Sequence, residues 1–367
     1  MSVLKILHAA DFHLDTPFEG LPEEKALRRR TEQRELLLSL AELARRERVD
    51  LILLPGDLLD GEKACYETES MLLRAFGSVS CPVIIAPGNH DFYTMKSVWA
   101  RLKFPDNVFV FRSDAIKSLE LEELGVRVFG AAYTDRSCRP LLEGFHAERY
   151  PGTLNLLCLH AEVDGRDSRY CPVTSSQLAG SGIDYAAFGH IHMASGLLQA
   201  GETRYSWPGC PEGRGFDETG DRFVNLIEID RESGQTELKQ RTIARRRYEI
   251  LQANISENEP LLAIHALLPE STENDIYRII LTGETDTAPD TVSLQNSLEG
   301  LFFHLQVRDE TRPRRDIWEK AGTDTLRGIF LTKCRERYDA AASEEEKTHI
   351  ELAVRYGLAA MENREVI

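Results

Sequence analysis

No apolar run in this sequence approaches the roughly 18 residues that a membrane-spanning helix needs, so no helical membrane span is expected. The N-terminal stretch Val3 to Ala10 carries Lys5 and is cut short by Asp11, which reads as a first strand rather than a secretory leader. Cysteine is scarce and unpatterned. The seven cysteines are odd in number, scattered and without a C-x-x-C pair, which argues against a disulfide framework and a thiolate zinc site. That usage fits a reducing cytoplasm. There is no G-x-x-x-x-G-K-[ST] loop of the ATP-hydrolysing kind. Positive charge is short as well: 44 Lys and Arg against 60 Asp and Glu leave a net charge of −16, unlike a protein that coats nucleic acid nonspecifically. A DNA enzyme is not excluded, because carboxylates grouped around cations are neutralised by them. The basic runs Arg245-Arg246-Arg247 and Arg312-Pro313-Arg314-Arg315 either touch phosphate or are solvated and paired with nearby acids.

What is present is the make-up of a soluble globular protein: 42% hydrophobic and 28% charged residues over 367 positions allow one large core and a smaller second unit. Short apolar runs alternate with helical periods. Val3 to Leu7 precedes a helix expected from about Arg28 to Arg48, where Leu36, Leu37, Leu40, Leu43 and Ala44 recur every three and four residues. Leu51 to Leu54, a helix over Glu69 to Phe76 and the run Val83 to Ala86 complete a β-α-β-α-β layout with a largely parallel sheet. From Asn107 strands dominate, at Val108 to Val110, Leu119 to Leu121, Val126 to Phe129, Leu154 to Leu159, Tyr185 to Phe188 and on through Ile243. That excess suggests two stacked sheets with helices outside.

The composition shifts after Arg247, where SENEP, PESTEND and GETDTAPD punctuate a small mixed segment. Beyond it, Leu326, Ile329, Phe330, Cys334 and Tyr338 stand at helical spacing, and Ser343 with Glu346 forms a capping box that opens a helix through Ile350, Val354, Leu358 and Met361. The expected organisation is a main domain over 1–245, a small domain over 246–322 and a helical hairpin over 323–367.

The strand ends are polar in a repeated way. ADFHLD supplies Asp11 and His13, PGDLLD supplies Asp57 and Asp60, PGNHD supplies Asn89, His90 and Asp91, CLHAE supplies His160, and FGHIH supplies His190 and His192. Parallel strands deliver such ends to one edge, the usual place for a site in an open α/β sheet. Carboxylates and imidazoles beside apolar strands are costly to bury without a metal. Imidazole, carboxylate and one amide oxygen, with no thiolate, suit Mn²⁺, Fe²⁺ or Zn²⁺. Seven donors, Asp11, His13, Asp57, Asn89, His160, His190 and His192, are too many for one ion. Two ions about 3.5 to 4 Å apart need a bridging carboxylate and would clamp the attacking and leaving oxygens of a phosphoryl displacement. Asp57 is the natural bridge, because Gly56 lets the backbone turn sharply. In G-H-I-H, the alternation of an extended segment puts both imidazoles on one side.

The five motifs D-x-H, G-D-x-x-D, G-N-H-D, a lone His after an apolar strand and G-H-x-H, in that order over residues 11 to 192, resemble those of the calcineurin-like metallophosphoesterase superfamily. Within it, HAADFHLDTPFEGLP, GDLLDGE and WPGCPEGRGFDETG resemble bacterial DNA repair exonucleases of the SbcD type, YhaO-like members in particular. The resemblance implies an α/β fold, a four-layer α/β/β/α sandwich with a smaller C-terminal α+β cap domain that helps to admit DNA. It implies two divalent metal ions, Mn²⁺ foremost, one held by Asp11, His13, Asp57 and His192 and the other by Asp57, Asn89, His160 and His190. It also implies DNA as substrate and an SMC-like coiled-coil ATPase as partner; a homodimer is left open, and without a membrane-length apolar run no membrane partner is expected.

By motif position His90 would be free of metal and face the scissile phosphate, where it stabilises charge or protonates the leaving oxygen. Asp91 is expected to orient that imidazole, and Asp15 and Asp60 to orient their neighbours. Arg214 either binds substrate phosphate or pairs with Glu218. His8 is expected to hydrogen-bond within the sheet, and His146, His265, His304 and His349 to be ordinary surface or core residues. The activity implied is that of a metal-dependent DNA exonuclease or endonuclease in repair. A small-molecule phosphodiesterase or phosphatase would use the same ions, and a noncatalytic scaffold should have lost ligands, of which none is missing.

Overall fold

The computed structural model describes residues 3–165, 167–285, 288–313, 318 and 321–361. Arg314 and Arg315 of the second basic run, and residues 362–367 of the expected hairpin, lie outside them. Val3–His8 (β1) is followed by a helix Glu23–Glu47 (α1), then Leu51–Leu54 (β2), Tyr66–Gly77 (α2), Val83–Ile85 (β3), a short helix Val98–Arg101 (α3) and Val108–Val110 (β4). The next run comprises Lys117–Leu121 (β5), Val126–Gly130 (β6), Leu154–His160 (β7), the two-residue strands Glu162–Val163 (β8) and Pro172–Val173 (β9), Ser175–Ala179 (α4) and Tyr185–Gly189 (β10). Leu198–Ala200 (β11), Thr203–Ser206 (β12), Val224–Asp230 (β13) and Thr236–Arg241 (β14) complete the first unit.

Among the described residues twelve of these strands form two six-stranded sheets, ordered β14-β13-β1-β2-β3-β4 and β11-β12-β10-β7-β6-β5, and β8 pairs with β9 alone. The layers follow from period-two alternation along strands buried on both faces. Leu4, Ile6, Leu51, Leu53 and Ile84 meet Val128, Leu156, Cys158, Tyr185 and Ala187 between the sheets. Their neighbours Leu7, Ile52, Leu54, Val83 and Ile85 pack outward on Leu36, Leu37 and Leu40 of α1 and Leu72 and Phe76 of α2. The outer face of the second sheet, with Leu157, Leu159, Ala186 and Phe188, is covered by α4 and loops. The result is an α/β/β/α sandwich whose fourth layer is thin.

Register sets the strand ends in step. β1, β2 and β3 are parallel, with His8 opposite Leu53 and Leu54 opposite Ile85. In the second sheet β7 and β10 are parallel, with His160 opposite Gly189. The expected helix near Arg28 begins five residues earlier, at Glu23 after Pro22. Its first turn holds Glu23 and Glu24, which suit a helix N-terminus electrostatically but add nothing to an apolar period.

Polar groups also occupy the buried face of α1. Glu32 receives Arg246 through both carboxylate oxygens, at 2.6 Å from Nε and 2.5 Å from Nη2, and Arg29 Nη1 at 3.3 Å. Arg29 also pairs with Glu212. Arg245 reaches Glu35 at 3.0 Å and Arg247 reaches Asp221 at 3.5 Å. The first basic run is thus paired with acids.

Contacts divide the chain into a unit ending at Arg247 and a second from Tyr248 onward. In the second, Tyr248–Asn254 (β15), Ile276–Thr282 (β16), Glu284–Thr285 (β17), His304–Asp309 (β18) and Arg312–Pro313 (β19) alternate with Pro260–His265 (α5) and Thr291–Ser297 (α6). β15, β16 and β18 make a parallel sheet over a core of Ile264, Ile279, Leu281, Leu298 and Phe302. Leu326–Ala340 (α7) and Glu344–Met361 (α8) follow. They pack through Leu331, Val354 and Leu358, with Phe330 and Cys334 against them, and the buried Arg355 of α8 donates to Thr311 O at 2.9 Å. Leu326 and Ile329 stay 74% and 54% exposed. No helix among the described residues is long and apolar enough to cross a membrane.

Glu32→Ala takes away a carboxylate that two buried arginines share, and should cost about 3–5 kcal/mol of unfolding free energy in urea titration. Arg335→Ala, at an exposed pair with Asp339, should cost no more than about 0.5 kcal/mol. Equal losses would contradict the buried network.

Candidate metal centre

The loops leaving the strand ends turn through left-handed residues. Asp11, His13 and Asp57 hold φ of 56°, 46° and 52°, and His190 holds 96°. Asp and His enter this region more readily than branched residues do, yet each such turn still costs about 1 kcal/mol. Gly56, at φ +90°, makes the turn expected before Asp57.

These turns gather donors from both sheets. Donor atoms of Asp11, His13 and His192 lie within 4.8 Å of one another, as do those of Asp11, Asp57 and His160 and those of His13, Asp57 and His90. Asp57 Oδ2 stands 3.7 Å from His13 Nε2 and 3.3 Å from His160 Nε2, between one imidazole of each expected set. His13 Nε2 and His192 Nε2 are 3.2 Å apart, and His160 Nε2 is 2.9 Å from Asn89 Oδ1. His190 joins through its backbone N–H, which donates to both oxygens of Asp11 at 3.0 and 3.1 Å, and through its ring, 5.2 Å from that of His160. Asp11, His13, Asp57 and His160 are buried, Asn89, His190 and His192 are half-buried, and His90 is exposed.

The donor set fits cations. His160 Nδ1 lies 2.9 Å from the carbonyl of Pro55, which only accepts, so Nδ1 carries the hydrogen. A neutral ring then turns its Nε2 lone pair toward two oxygens, those of Asn89 and Asp57, a repulsive arrangement unless a cation intervenes. With a proton as that cation, burial pulls His160 down but the charges of Asp57 and Asp11 outweigh it, leaving the group raised to about 9. Against its burial, Asp57 is held well below the usual carboxylate range by His160, His13 and His90. Burial, then the charge of His160, drives His190 down to about 3, the neutral form a metal takes. The donor spacings are those of ligands that each sit about 2.0–2.2 Å from a shared ion.

Carboxylates orient the rings from behind. Asp60 Oδ1 lies 3.2 Å from His13 Nδ1, an arrangement that fixes that tautomer and leaves Nε2 for a metal, while Glu218 Oε1 and Arg214 Nη2 both face His192 Nδ1, at 2.7 and 3.0 Å. Arg214 pairs with Glu218 through Nε at 3.2 Å and Nη2 at 2.7 Å, and reaches Asp60 at 3.8 Å. Gln33 of α1 donates to the carbonyls of Phe12 and His13, each at 3.0 Å. His8 accepts from Tyr185 Oη at 2.8 Å and donates through Nε2 to Phe188 O at 3.1 Å, bonding across the two sheets. Burial takes it down to about 3, so it stays neutral.

Two acidic residues act elsewhere than the donors. Asp15 accepts from Thr68 Oγ1 at 2.6 Å, Arg34 Nη2 at 3.1 Å and Cys65 N at 3.0 Å, tying the loop after β1 to α1 and α2. Asp91 corrects an expectation: its carboxylate does not orient His90. It is buried and accepts backbone N–H groups of Gly88, Leu58, Asp57 and Leu59 at 2.7, 2.8, 3.3 and 3.3 Å. The group beside His90 Nδ1 is Asp60, at 3.8 Å. A cleft of about 370 Å³ opens next to His90 and Asn89, with Arg136, Arg169 and Tyr170 on its walls. Tyr170 lies 4.6 Å, ring to ring, from His190. No motif marked these three residues; for Glu218 the signal was its place four residues after Arg214.

Residues 4–194 match the family model for calcineurin-like phosphoesterases. The chain belongs to the calcineurin-like phosphoesterase family. The family and the donor cluster together show the pattern of a two-metal site. The chain is 32% identical to the uncharacterized metallophosphoesterase YhaO of Bacillus subtilis, over 62% of this chain and 57% of that one. It is 28% identical to the DNA double-strand break repair protein Mre11 of Aeropyrum pernix, over 56% of this chain and 53% of that one. To a subunit of the nuclease SbcCD from Rhodobacter capsulatus it is 30% identical, over 35% of this chain and 27% of that one. It spans about half the length of the first two relatives.

Asp57→Ala should abolish binding of both ions, whereas His192→Ala should release one, as read by metal analysis of the purified proteins. Gly88→Ala should resemble Asp57→Ala, since its Cβ would stand 2.2 Å from Asp57 Oδ1. Two ions retained in Asp57→Ala would remove it as the bridge.

Proposed function

We propose that the protein is a metal-dependent nuclease that hydrolyses phosphodiester bonds in DNA during repair, as an exonuclease or endonuclease. The observation that carries this reading is Asp57 Oδ2, 3.7 and 3.3 Å from imidazoles of two donor groups, one of which, through Asn89, reaches an open cleft. Two divalent cations, Mn²⁺ foremost, would lower the pKa of an attacking water and offset charge on the phosphoryl oxygens when bound. Asp11, His13, Asp57 and His192 would hold one, and Asp57, Asn89, His160 and His190 the other. His90, exposed at the cleft, stabilises charge on the leaving oxygen or protonates it, with Asp60 near its Nδ1. Arg136 and Arg169 line the same cleft and suit a phosphate of the substrate. Relatives named as a double-strand break repair protein and as part of a nuclease support DNA as the substrate.

A second reading has its own support. A cleft of about 370 Å³ is of the size that takes small ligands, which favours a small phosphodiester or phosphate ester. Assay of the full chain with Mn²⁺ on labelled single- and double-stranded DNA, beside a nitrophenyl phosphodiester, separates the two. The nuclease reading expects DNA cleavage, strong with Mn²⁺, weak with Mg²⁺ and absent with chelator. Cleavage of the dye ester alone would favour the second reading, and full activity in chelator would end both.

His90→Asn should keep both ions and slow DNA hydrolysis by about 10²-fold or more. The loss should shrink on the nitrophenyl ester, whose leaving oxygen needs little protonation. Loss of an ion would make His90 a ligand, as its place beside His13 and Asp57 permits.

The proposed partner is an SMC-like coiled-coil ATPase, docked on the exposed apolar positions Leu326 and Ile329 of α7. Leu326→Glu with Ile329→Glu should abolish co-purification with such an ATPase while leaving the fold intact by circular dichroism. Unchanged co-purification would remove α7 from the interface.

A further inference from the structure

Cys138 and Cys171 lie 33 positions apart in the chain and meet in space. The Cys138 backbone N–H donates to Arg169 O at 2.9 Å, and that of Cys171 donates to Cys138 O at 3.0 Å, framing a parallel bridge between Cys138 and Tyr170. In a regular strand Cys171 would send its side chain to the face opposite Tyr170. Its backbone is instead left-handed, with φ of 48°; the Cys138 thiol donates to Arg139 O at 3.4 Å and shifts the ionisation of the Cys171 thiol. The N–H of Cys171 on Cys138 O makes the two cysteines backbone neighbours, and a disulfide spans Cα atoms about 4.4 to 6.8 Å apart. Both thiols are free.

The pair is asymmetric. Cys171 is fully buried among Tyr133, Leu141, Leu142 and Val173, whereas Cys138 is partly exposed. The nearby Cys171, against burial and with the charge of Arg139, favours the Cys138 thiolate, while Cys138 and burial push Cys171 up. Accessible, stabilised thiolate beside a buried second thiol is the arrangement of an attacking and a resolving cysteine. The other five cysteines stand elsewhere: Cys65 by Asp15, Cys158 in β7, Cys210 against His192 O, Cys81 after α2 and Cys334 in α7.

We propose that Cys138 and Cys171 form an oxidisable dithiol that hydrogen peroxide converts to an intramolecular disulfide, stapling together the two segments that wall the cleft. The Cys138 thiolate attacks one peroxide oxygen, the O–O bond breaks, and Cys138 becomes a sulfenic acid as hydroxide leaves and is protonated to water. Cys171 gives up its proton and attacks the sulfenic sulfur, the S–S bond forms, and the second oxygen leaves as water. Two thiols lose two electrons and one peroxide gains them. The bond would join the segment carrying Arg136 to the one carrying Arg169 and Tyr170, and so fix the wall beside His190.

The test is peptide mapping of the full chain under non-reducing conditions, after reduction, removal of metal and treatment with one to a few equivalents of peroxide. The expected result is a Cys138–Cys171 cross-linked peptide, formed at least tenfold faster than alkylatable thiol is lost at Cys65, Cys81 or Cys334. Cys171→Ser should accumulate a dimedone-reactive sulfenic acid at Cys138 in place of the cross-link. In the oxidised protein, amide exchange should slow over residues 136–138 and 169–171. Earlier loss of thiol at Cys65, or cross-links to other cysteines, would overturn the dithiol, and unchanged exchange would overturn the staple.

Discussion

The sheet edge depends on one buried carboxylate. Two loops leave β2 and β3 with their backbone N–H groups turned away from any strand partner, and buried amides must find acceptors. Asp91 accepts four of them, three from Asp57, Leu58 and Leu59 and one from Gly88. The loop that carries Asp57 is thereby locked to the loop that carries Asn89. Burial and the nearby Asp57 charge push the Asp91 carboxyl up to about 7, against the pull of these N–H groups. Trp99 of α3 donates its indole N–H to the Asp91 carbonyl, which anchors the same loop from its far side.

Every other feature of the centre assumes that lock. A side chain at residue 88 would run into Asp57, so only glycine lets the two loops approach this closely. Asp57 can then stand between His13 and His160, and the left-handed turns at Asp11, His13 and His190 bring the remaining donors to it. Strain, buried charge and facing lone pairs are each unfavourable at this edge. They persist because apolar contacts between the sheets, and between the first sheet and α1 and α2, hold the strand ends in register. The carboxylates behind His13 and His192 complete the preorganisation.

Much of this was legible in the sequence because it is local. An apolar run followed directly by D-x-H, G-D-x-x-D or G-H-x-H announces both a strand and what it delivers, and parallel topology makes the ends converge. The period of α1 showed where its apolar stripe lies, yet its first turn was invisible, since Glu23 and Glu24 stabilise a helix end without packing. The partners that came from afar were not legible. Asp91 beside His90 suggested a side-chain contact, whereas backbone N–H groups, which leave no mark in a sequence, had the stronger claim. Glu218, Gln33 and the Pro55 carbonyl reach histidines or their loop across long chain separations, which no local period encodes. Tyr170 and Arg169 reach the cleft where Tyr170 bridges to Cys138, far away in the chain.

The central claim is that two cations share Asp57. Anomalous diffraction from crystals soaked in Mn²⁺ tests it most directly. Two peaks about 3.5 to 4 Å apart, with Asp57 Oδ2 between them, are the predicted result. A single peak in a fully loaded crystal, or two peaks with Asp57 bound to neither or only one, would contradict it.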